Sequence, residues 1–351
     1  MSSPSPRKTR VTAAMVAQRA GTSTATVSLV VNGKTAGRVS PENVERVRAA
    51  IAELGYVVDH AASSLAKGTS SIVMLIAPDL SNPFFGGVIS GIKSTLGPRY
   101  QLLLSVTGNG RTPDASDIQQ FLALRPAGLL VDAPTEAFIT ELPADSPLVL
   151  LDAPGLEERA TTVNFSMREG VEALIDHLAA AGHTRVAYLD SVTGTETFLL
   201  RHELLREVAT ERGMSFFTHP RAISVIDLTA AGTAFAAAWP QWQRDGVTAV
   251  ICATDTHAYG VLQRAAGMGL SIPLDLAVTG FDNLPYSAIS SPSLTTVDLP
   301  GFALGAAAAR ALRARIENEP LDEPPAVLKG TLVIRASTGG ETPAPPPAPA
   351  A

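Results

Sequence analysis

One cysteine in 351 residues, Cys252, rules out an internal disulfide and any cysteine-rich zinc site. It stands in the apolar run AVICA, which predicts a buried small side chain rather than a reactive thiol. No apolar run approaches the ~18–20 residues that a membrane span needs. The opening MSSPSPRKTR has no apolar stretch that could act as a secretory signal, so a cytoplasmic chain without a membrane partner is expected. Catalytic signatures are missing too. His60, His177, His183, His202, His219 and His257 form no HxxxH or HExxH pair, and there is no Walker-type loop, GxSxG elbow or GxGxxG after the first strand. These absences point away from an enzyme, a metal site and a cofactor. The closing ETPAPPPAPAA is Pro/Ala-rich and reads as a disordered tail over 339–351, without the leucine heptads of a tetramerising helix.

What is present begins at residues 12–33, TAAMVAQRAGTSTATVSLVVNG. Two short helices are predicted, joined by a tight turn at Gly21. Thr12 caps the first and Ser23 the second, because their hydroxyls accept orphan backbone N–H bonds. In the second helix Val27, Val30 and Val31 make one apolar stripe, while Thr24, Ala25, Ser28 and Leu29 lie opposite. A short helix packed on one side and bare on the other suits a DNA major groove. Ser40 caps a third helix that starts at Pro41 and has Glu42 in its first turn. Val44, Val47, Ile51 and Leu54 give it a core face, and Gly55 stops it.

The charge agrees with a nucleic-acid partner for this head. The whole chain carries −6, yet residues 1–70 carry +5 and the remainder −11. A basic head attracts phosphate while an acidic body stays off the duplex. Arg7, Lys8, Arg10, Arg19, Lys34 and Arg38 are the expected phosphate contacts.

From about residue 70 the texture changes. Apolar strand candidates fall at 72–77, 101–106, 128–132, 147–151, 186–190, 222–226, 248–252 and 276–280, with amphipathic helical stretches between most of them. This is the pattern of parallel sheets with helices on both faces. A reset near Val163 and 46% hydrophobic residues suggest two similar α/β lobes with sizeable cores.

Phrases spread over residues 10–338 resemble the LacI/GalR family of bacterial transcription regulators, in unbroken order. They include TSTATVSLVVNGK (22–34), RVSPENVERVRAAIAELGYV (38–57), SSLAKG (63–68), PDLSNPFF (78–85), HLAAAGHTRVAYL (177–189), ICATDTHAYGVLQRAAGMGLSIPLDLAVTGFDN (251–283), LTTVDLP (294–300) and LVIRAST (332–338). The resemblance implies a helix-turn-helix domain over 1–58, a hinge helix and linker over 59–69, and an effector-binding, dimerising core over 70–338 of the periplasmic-binding-protein type. It also implies three crossings, giving an N-lobe of about 70–163 and 298–326 and a C-lobe of about 164–297 and 327–338. The implied DNA-binding set is Thr12, Ser23, Thr24, Ala25, Thr26, Ser28, Leu29, Asn32 and Lys34, with Leu65 of the hinge entering the minor groove. Two positions depart from the family: Leu29, where relatives often carry a polar or basic residue, and Asp59, where they tend to place Asn.

Open α/β sheets bind ligands beyond the carboxyl ends of their strands. Residues just past strands here are Asp79, Asn82, Phe84, Phe85, Asp255 and Asp282, with Asp152 a weaker candidate. Carboxylates and an amide facing a ring suit a polyhydroxylated ligand. Positions matching Asn82, Phe84, Phe85, Arg201, Asp255 and Asp282 line the cleft in the related sugar-binding lobes. Phe84 and Phe85 could equally be core, and Asp255 could merely cap its helix. The expectation is a homodimeric repressor that binds double-stranded operator DNA under the control of a sugar or nucleoside-like effector. The rival readings are a solute-binding protein and an α/β enzyme with a basic extension.

Overall fold

The computed structural model describes residues 11–31, 33–56, 70–77, 79–106, 115–143, 145–321 and 327–340. It divides into two units, Met1–Ser70 and Ser71–Ala351. Among the described residues no helix is long and apolar enough to cross a membrane.

The first unit holds helices α1 (Ala13–Ala20), α2 (Thr24–Val31) and α3 (Pro41–Leu54). Their ends follow from local chemistry. Thr12 Oγ1 accepts the Met15 N–H, Ser23 Oγ the Thr26 N–H and Ser40 Oγ the Asn43 N–H. Gly21 and Gly55 close α1 and α3 in the left-handed conformation, at φ 61° and 63°. Val16, Ala17, Ala20, Val27, Val47 and Ala50 form the core, with Val30, Val31, Ile51 and Leu54 packed on it. Val44 does not join that cluster.

The second unit contains two sheets. The first has the order β2-β1-β3-β4-β5, from Gln101–Val106, Ile72–Ala77, Gly128–Asp132, Leu148–Leu151 and Thr161–Val163, all parallel. The register pairs Ile76 with Ser105 on one side and Val131 on the other. Alternate residues of β1 feed opposite faces: Val73 and Leu75 join one core, Met74 and Ile76 the other. The second sheet has the order β14-β12-β11-β10-β7-β8, from Thr331–Val333, Thr295–Asp298, Ala277–Phe281, Ala249–Cys252, Arg185–Ser191 and Ser215–Phe217. It is parallel except for β14, which runs antiparallel to β12. Cys252 is fully buried in β10.

The chain passes between the sheets three times. It leaves the first after Val163, through β6 (Phe165–Ser166). It returns after Asp298 into helix Gly301–Glu317, whose Leu304, Ala308 and Leu312 complete the core of the first sheet. It crosses again at β13 (Leu328–Lys329), which pairs with β6. Helix Gly301–Glu317 lies against helix Phe84–Leu96 with backbones nearly touching: a Cβ on Gly305 would stand 2.0 Å from the Val88 carbonyl oxygen, and one on Gly91 2.1 Å from that of Phe302.

The strands at 161–163, 215–217, 295–298 and 331–333 have no counterpart among the strands expected from apolar runs. Each has three or four residues and begins with Thr or Ser. Pairing with a neighbour, and not composition, makes them strands. The expected strand at 222–226 shrinks to β9, Ile223–Ser224, on the edge of β7.

Candidate functional site

Carboxyl ends of both sheets converge on one partly open cleft within the second unit. The first sheet supplies Asp79, Asn82, Phe84 and Phe85 after β1, Asp132 and Ala133 at the end of β3, and Asp152 after β4. The second supplies Thr193, Thr195, Thr197, Phe198 and Arg201 after β7, and Asp282 after β11. Phe165 and Leu299, on the crossings, close the wall.

Three wall residues sit in the left-handed region that favours glycine: Ala133 (φ 41°), Asp152 (φ 45°) and Asp282 (φ 104°). Each donates its N–H to the neighbouring strand, to Leu151, Val163 and Val297 respectively, at 2.9 Å. The ladder therefore fixes the strand ends in a strained turn that aims them at the cleft, as binding sites commonly do.

Two hydrogen bonds between side chains span the cleft. Asn82 Nδ2 donates to Asp282 Oδ2 at 2.9 Å, and Thr197 Oγ1 donates to Asp152 Oδ2 at 2.9 Å. Asn82 Oδ1 also accepts the Phe84 N–H, which fixes the amide orientation. Arg201 lies on the helix Glu196–Glu211, 2% exposed, with its guanidinium over the rings of Phe281 and Phe198 and Nη1 donating to the Ala253 carbonyl. Its Nε has no partner among the described residues.

Burial decides the protonation of the carboxyls. Desolvation raises Asp282 to about 8, and the charges of Asp255 and Asp152 add to it against the pull of Arg201. Asp132 rises well above the ordinary carboxylate range, by burial first and by the charge of Asp152 second. Asp152 rises by burial too, opposed by the Thr197 hydroxyl and by Arg201.

The structure thus brings Asn82, Phe84, Phe85, Arg201 and Asp282 to one wall. Phe85 is mainly core, at 9% exposure, whereas Phe84 packs against the cores of both sheets. Asp255 is a correction: it is fully buried and does not line the cavity. Its carboxylate accepts the Leu284 N–H at 2.8 Å and the hydroxyls of Ser287 and Thr296, so three of its roughly four lone-pair sites are taken up inside the protein. Thr254, and not Asp255, caps the following helix. With its carboxyl raised to about 6, Asp255 braces the turn after β11 that presents Asp282.

Asp132 and Thr197 were not anticipated. Asp132 ends a strand, so the strand-end rule reaches it. Thr197 and Phe198 lie in TGTETFLLR, whose apolar residues give no sign of which side faces a cleft.

In the head, Thr24, Ala25 and Ser28 are exposed and Leu29 is half-buried, and none of the four joins the core around Val27. Thr12 and Ser23 spend their hydroxyls on helix caps, and Ser23 also bonds the Thr26 hydroxyl at 3.0 Å. Lys34 follows the helix and is exposed. Asn32 and the hinge segment 59–69 with Leu65 lie outside the described residues. Among the expected phosphate contacts, Arg19 is held by Glu53 at 2.7 Å. Arg46 is turned inward, donating to the Ala20 carbonyl at 2.6 Å and the Gly21 carbonyl at 3.0 Å, where it satisfies the open end of α1.

Comparison with known proteins agrees with both units. The family described as "Bacterial regulatory proteins, lacI family" matches residues 8–59, and a periplasmic binding protein-like domain matches residues 175–338. The chain is 30% identical to the ribose operon repressor of Halalkalibacterium halodurans, over 93% of this chain and 97% of the relative. It is 27% identical to the HTH-type transcriptional repressor CytR of Escherichia coli, over 95% and 97%. Among solved structures, the lac repressor dimer bound to operator and the anti-inducer ONPF superposes with a TM-score of 0.76 at 24% identity, covering 94% of this chain and 99% of that one. The transcriptional regulator CelR–cellobiose complex superposes with a TM-score of 0.63 at 26% identity, covering 93% and 100%. A capped helix-turn-helix head and a two-sheet core with a cleft at the strand ends, matched along nearly their whole length by named repressors, place the chain in the lacI family of bacterial regulatory proteins, as a transcriptional regulator and not an enzyme.

Proposed function

We propose that the chain is a homodimeric repressor of the cytoplasm whose operator affinity is set by a small carbohydrate-like effector in the cleft. The observation that carries this reading is the cleft bridged by the Asn82–Asp282 bond, one partner from each sheet. A ligand at that place touches both lobes, so its binding energy depends on the angle between them. By linkage it favours one dimer geometry and thereby one affinity for DNA. Asn82, Phe84, Phe85, Arg201 and Asp282 contact the effector, and Asp255 positions Asp282. The cellobiose held by one structural relative, and the operator-bound dimer formed by another, support the same assignment. A regulator that binds chromosomal DNA works where the chromosome is.

On the DNA side, Thr24, Ala25, Ser28, Leu29, Asn32 and Lys34 face the operator, and Leu65 wedges into the minor groove. Leu29 can touch a thymine methyl but cannot hydrogen-bond a base edge. Selection from randomised duplexes is expected to return a palindromic site, and Leu29→Arg is expected to change the preferred base at one position of each half-site by about 1–3 kcal/mol. The same site for both proteins would remove Leu29 from the reading surface. Equal affinity after deletion of residues 1–70 would remove the head from DNA binding altogether.

A further inference from the structure

The cleft has more carboxyl groups than its cations can balance. Asp79, Asp132, Asp152 and Asp282 all line the cavity, and Arg201 is the one cationic side chain among the described residues of that wall. Arg201 is already committed, to the Ala253 carbonyl and to the rings on either side. Asp282 and Asp152 have Asn82 and Thr197 as donors. Asp79 accepts the Ser81 N–H at 2.7 Å. Asp132 is different. It is only 9% exposed, it ends β3 at the cavity wall, and no hydrogen bond reaches its carboxyl among the described residues.

A nearly buried carboxyl without a donor is costly when ionised, because little of its hydration remains on the cleft side. A second carboxyl, Asp152, stands close enough to raise it further. What satisfies such a pair is a cation that also donates hydrogen bonds. An ammonium offers three N–H donors and offsets the mutual repulsion of the pair. Around it the wall is aromatic: Phe84 and Phe165 meet edge to face at 6.1 Å, and such rings cover the apolar face of a sugar.

We propose that the effector is an amino sugar, its ammonium group donating to Asp132 and Asp152 and its ring hydroxyls meeting Asn82 and Asp282. This rests on the cleft being the effector site. An arriving cation favours the ionised carboxyls, so binding near neutral pH releases protons that the empty cleft had held.

The test is calorimetry on the full chain with three matched pairs: glucosamine against glucose, galactosamine against galactose, and mannosamine against mannose. At least one amino sugar is expected to bind tenfold or more tightly than its neutral parent. Its heat is expected to differ between phosphate and MOPS at pH 7, because protons leave the protein. That second readout needs no variant. Asp132→Asn, of nearly the same shape, is expected to erase the preference. Absence of binding by every amino sugar, or of any preference in all three pairs, overturns the proposal, as does a preference that survives both Asp132→Asn and Asp152→Asn. Neutral sugars that bind as tightly as their amino counterparts, and lose that binding in Asp282→Asn, would overturn the cationic requirement and keep the cleft as the effector site. Amine binding indifferent to Asp132→Asn, Asp282→Asn and Arg201→Ala would move the ligand elsewhere and overturn both readings.

Discussion

Asp282 holds its proton up to about pH 8 because burial penalises the anion more than Asn82 and Arg201 relieve it. The unfolded chain, with an ordinary carboxyl, releases that proton near pH 4. The native state therefore binds the extra proton, and stability falls as pH rises toward 8. Asp132 is raised as well and acts in the same direction. Asp255, raised to about 6, contributes its slope below that pH. His257, held by burial near 4, has the opposite sign: it stabilises the fold at higher pH, and that contribution is lost as pH falls from about 6.5 toward 4. Between pH 6.5 and 8 the raised carboxyls act without it. The melting temperature of the ligand-free protein is expected to fall across that window, by the equivalent of at most about 1.4 kcal/mol per pH unit and per group. Asp282→Asn is expected to flatten the slope; an unchanged slope would show that Asp282 ionises normally. Such residues mark the limit of what sequence conveys. Thr12, Ser23, Ser40, Gly21 and Gly55 were legible because a cap answers to partners within one helical turn. Asp255 and Asp282 both follow strands and look alike on paper. Only packing shows that one is spent on Leu284, Ser287 and Thr296 while the other reaches the cavity. Arg46 counts as a phosphate-seeking charge by composition, and its real partner is 26 residues away.

Among elements, helices Phe84–Leu96 and Gly301–Glu317 carry the least tolerance. Gly305 and Gly91 let the two backbones meet, and a methyl group at Gly305 would stand 2.0 Å from the Val88 carbonyl oxygen. The obstacle is backbone, so no rotamer change relieves it. Gly305→Ala is expected to destabilise the core by about 1–3 kcal/mol or more, seen as a lower urea midpoint, although alanine is the better helix former. A neutral result would mean that the helices separate at little cost. This contact was not readable in advance, because a glycine inside a helical pattern announces only weakness. Long apolar strands such as Ile72–Ala77 were readable from composition. Thr295–Asp298 and Thr331–Val333 were not, since their pairing is with each other and with β11, far apart in sequence.

For the whole molecule, the division of charge sets the behaviour toward DNA. Of the six expected phosphate contacts Arg19 is held by Glu53, which leaves Lys34 and Arg38 in each head, together with Arg7, Lys8 and Arg10 of the sequence. Five contacts give a slope of about −4.5 in log affinity against log salt for each head. A slope near −1 would mean that binding does not run through phosphates. The two α/β lobes and the basic head were legible as classes from the rhythm of apolar runs and from charge. The three crossings entered only with the family resemblance, because periodicity does not say which sheet a strand joins. Those crossings bear on synthesis. The face of β1 formed by Val73 and Leu75 is covered by Leu304, Ala308 and Leu312, which the ribosome makes last among the parts of that core. At about 5–20 residues per second, the interval between the ends of the two helices at Leu96 and Glu317 lasts on the order of 10–40 s. Throughout it that face of the nascent first lobe has helix Phe84–Leu96 on it but not its second helix, so co-expression of a chaperone that shields apolar surfaces during translation is expected to raise the yield of native regulator.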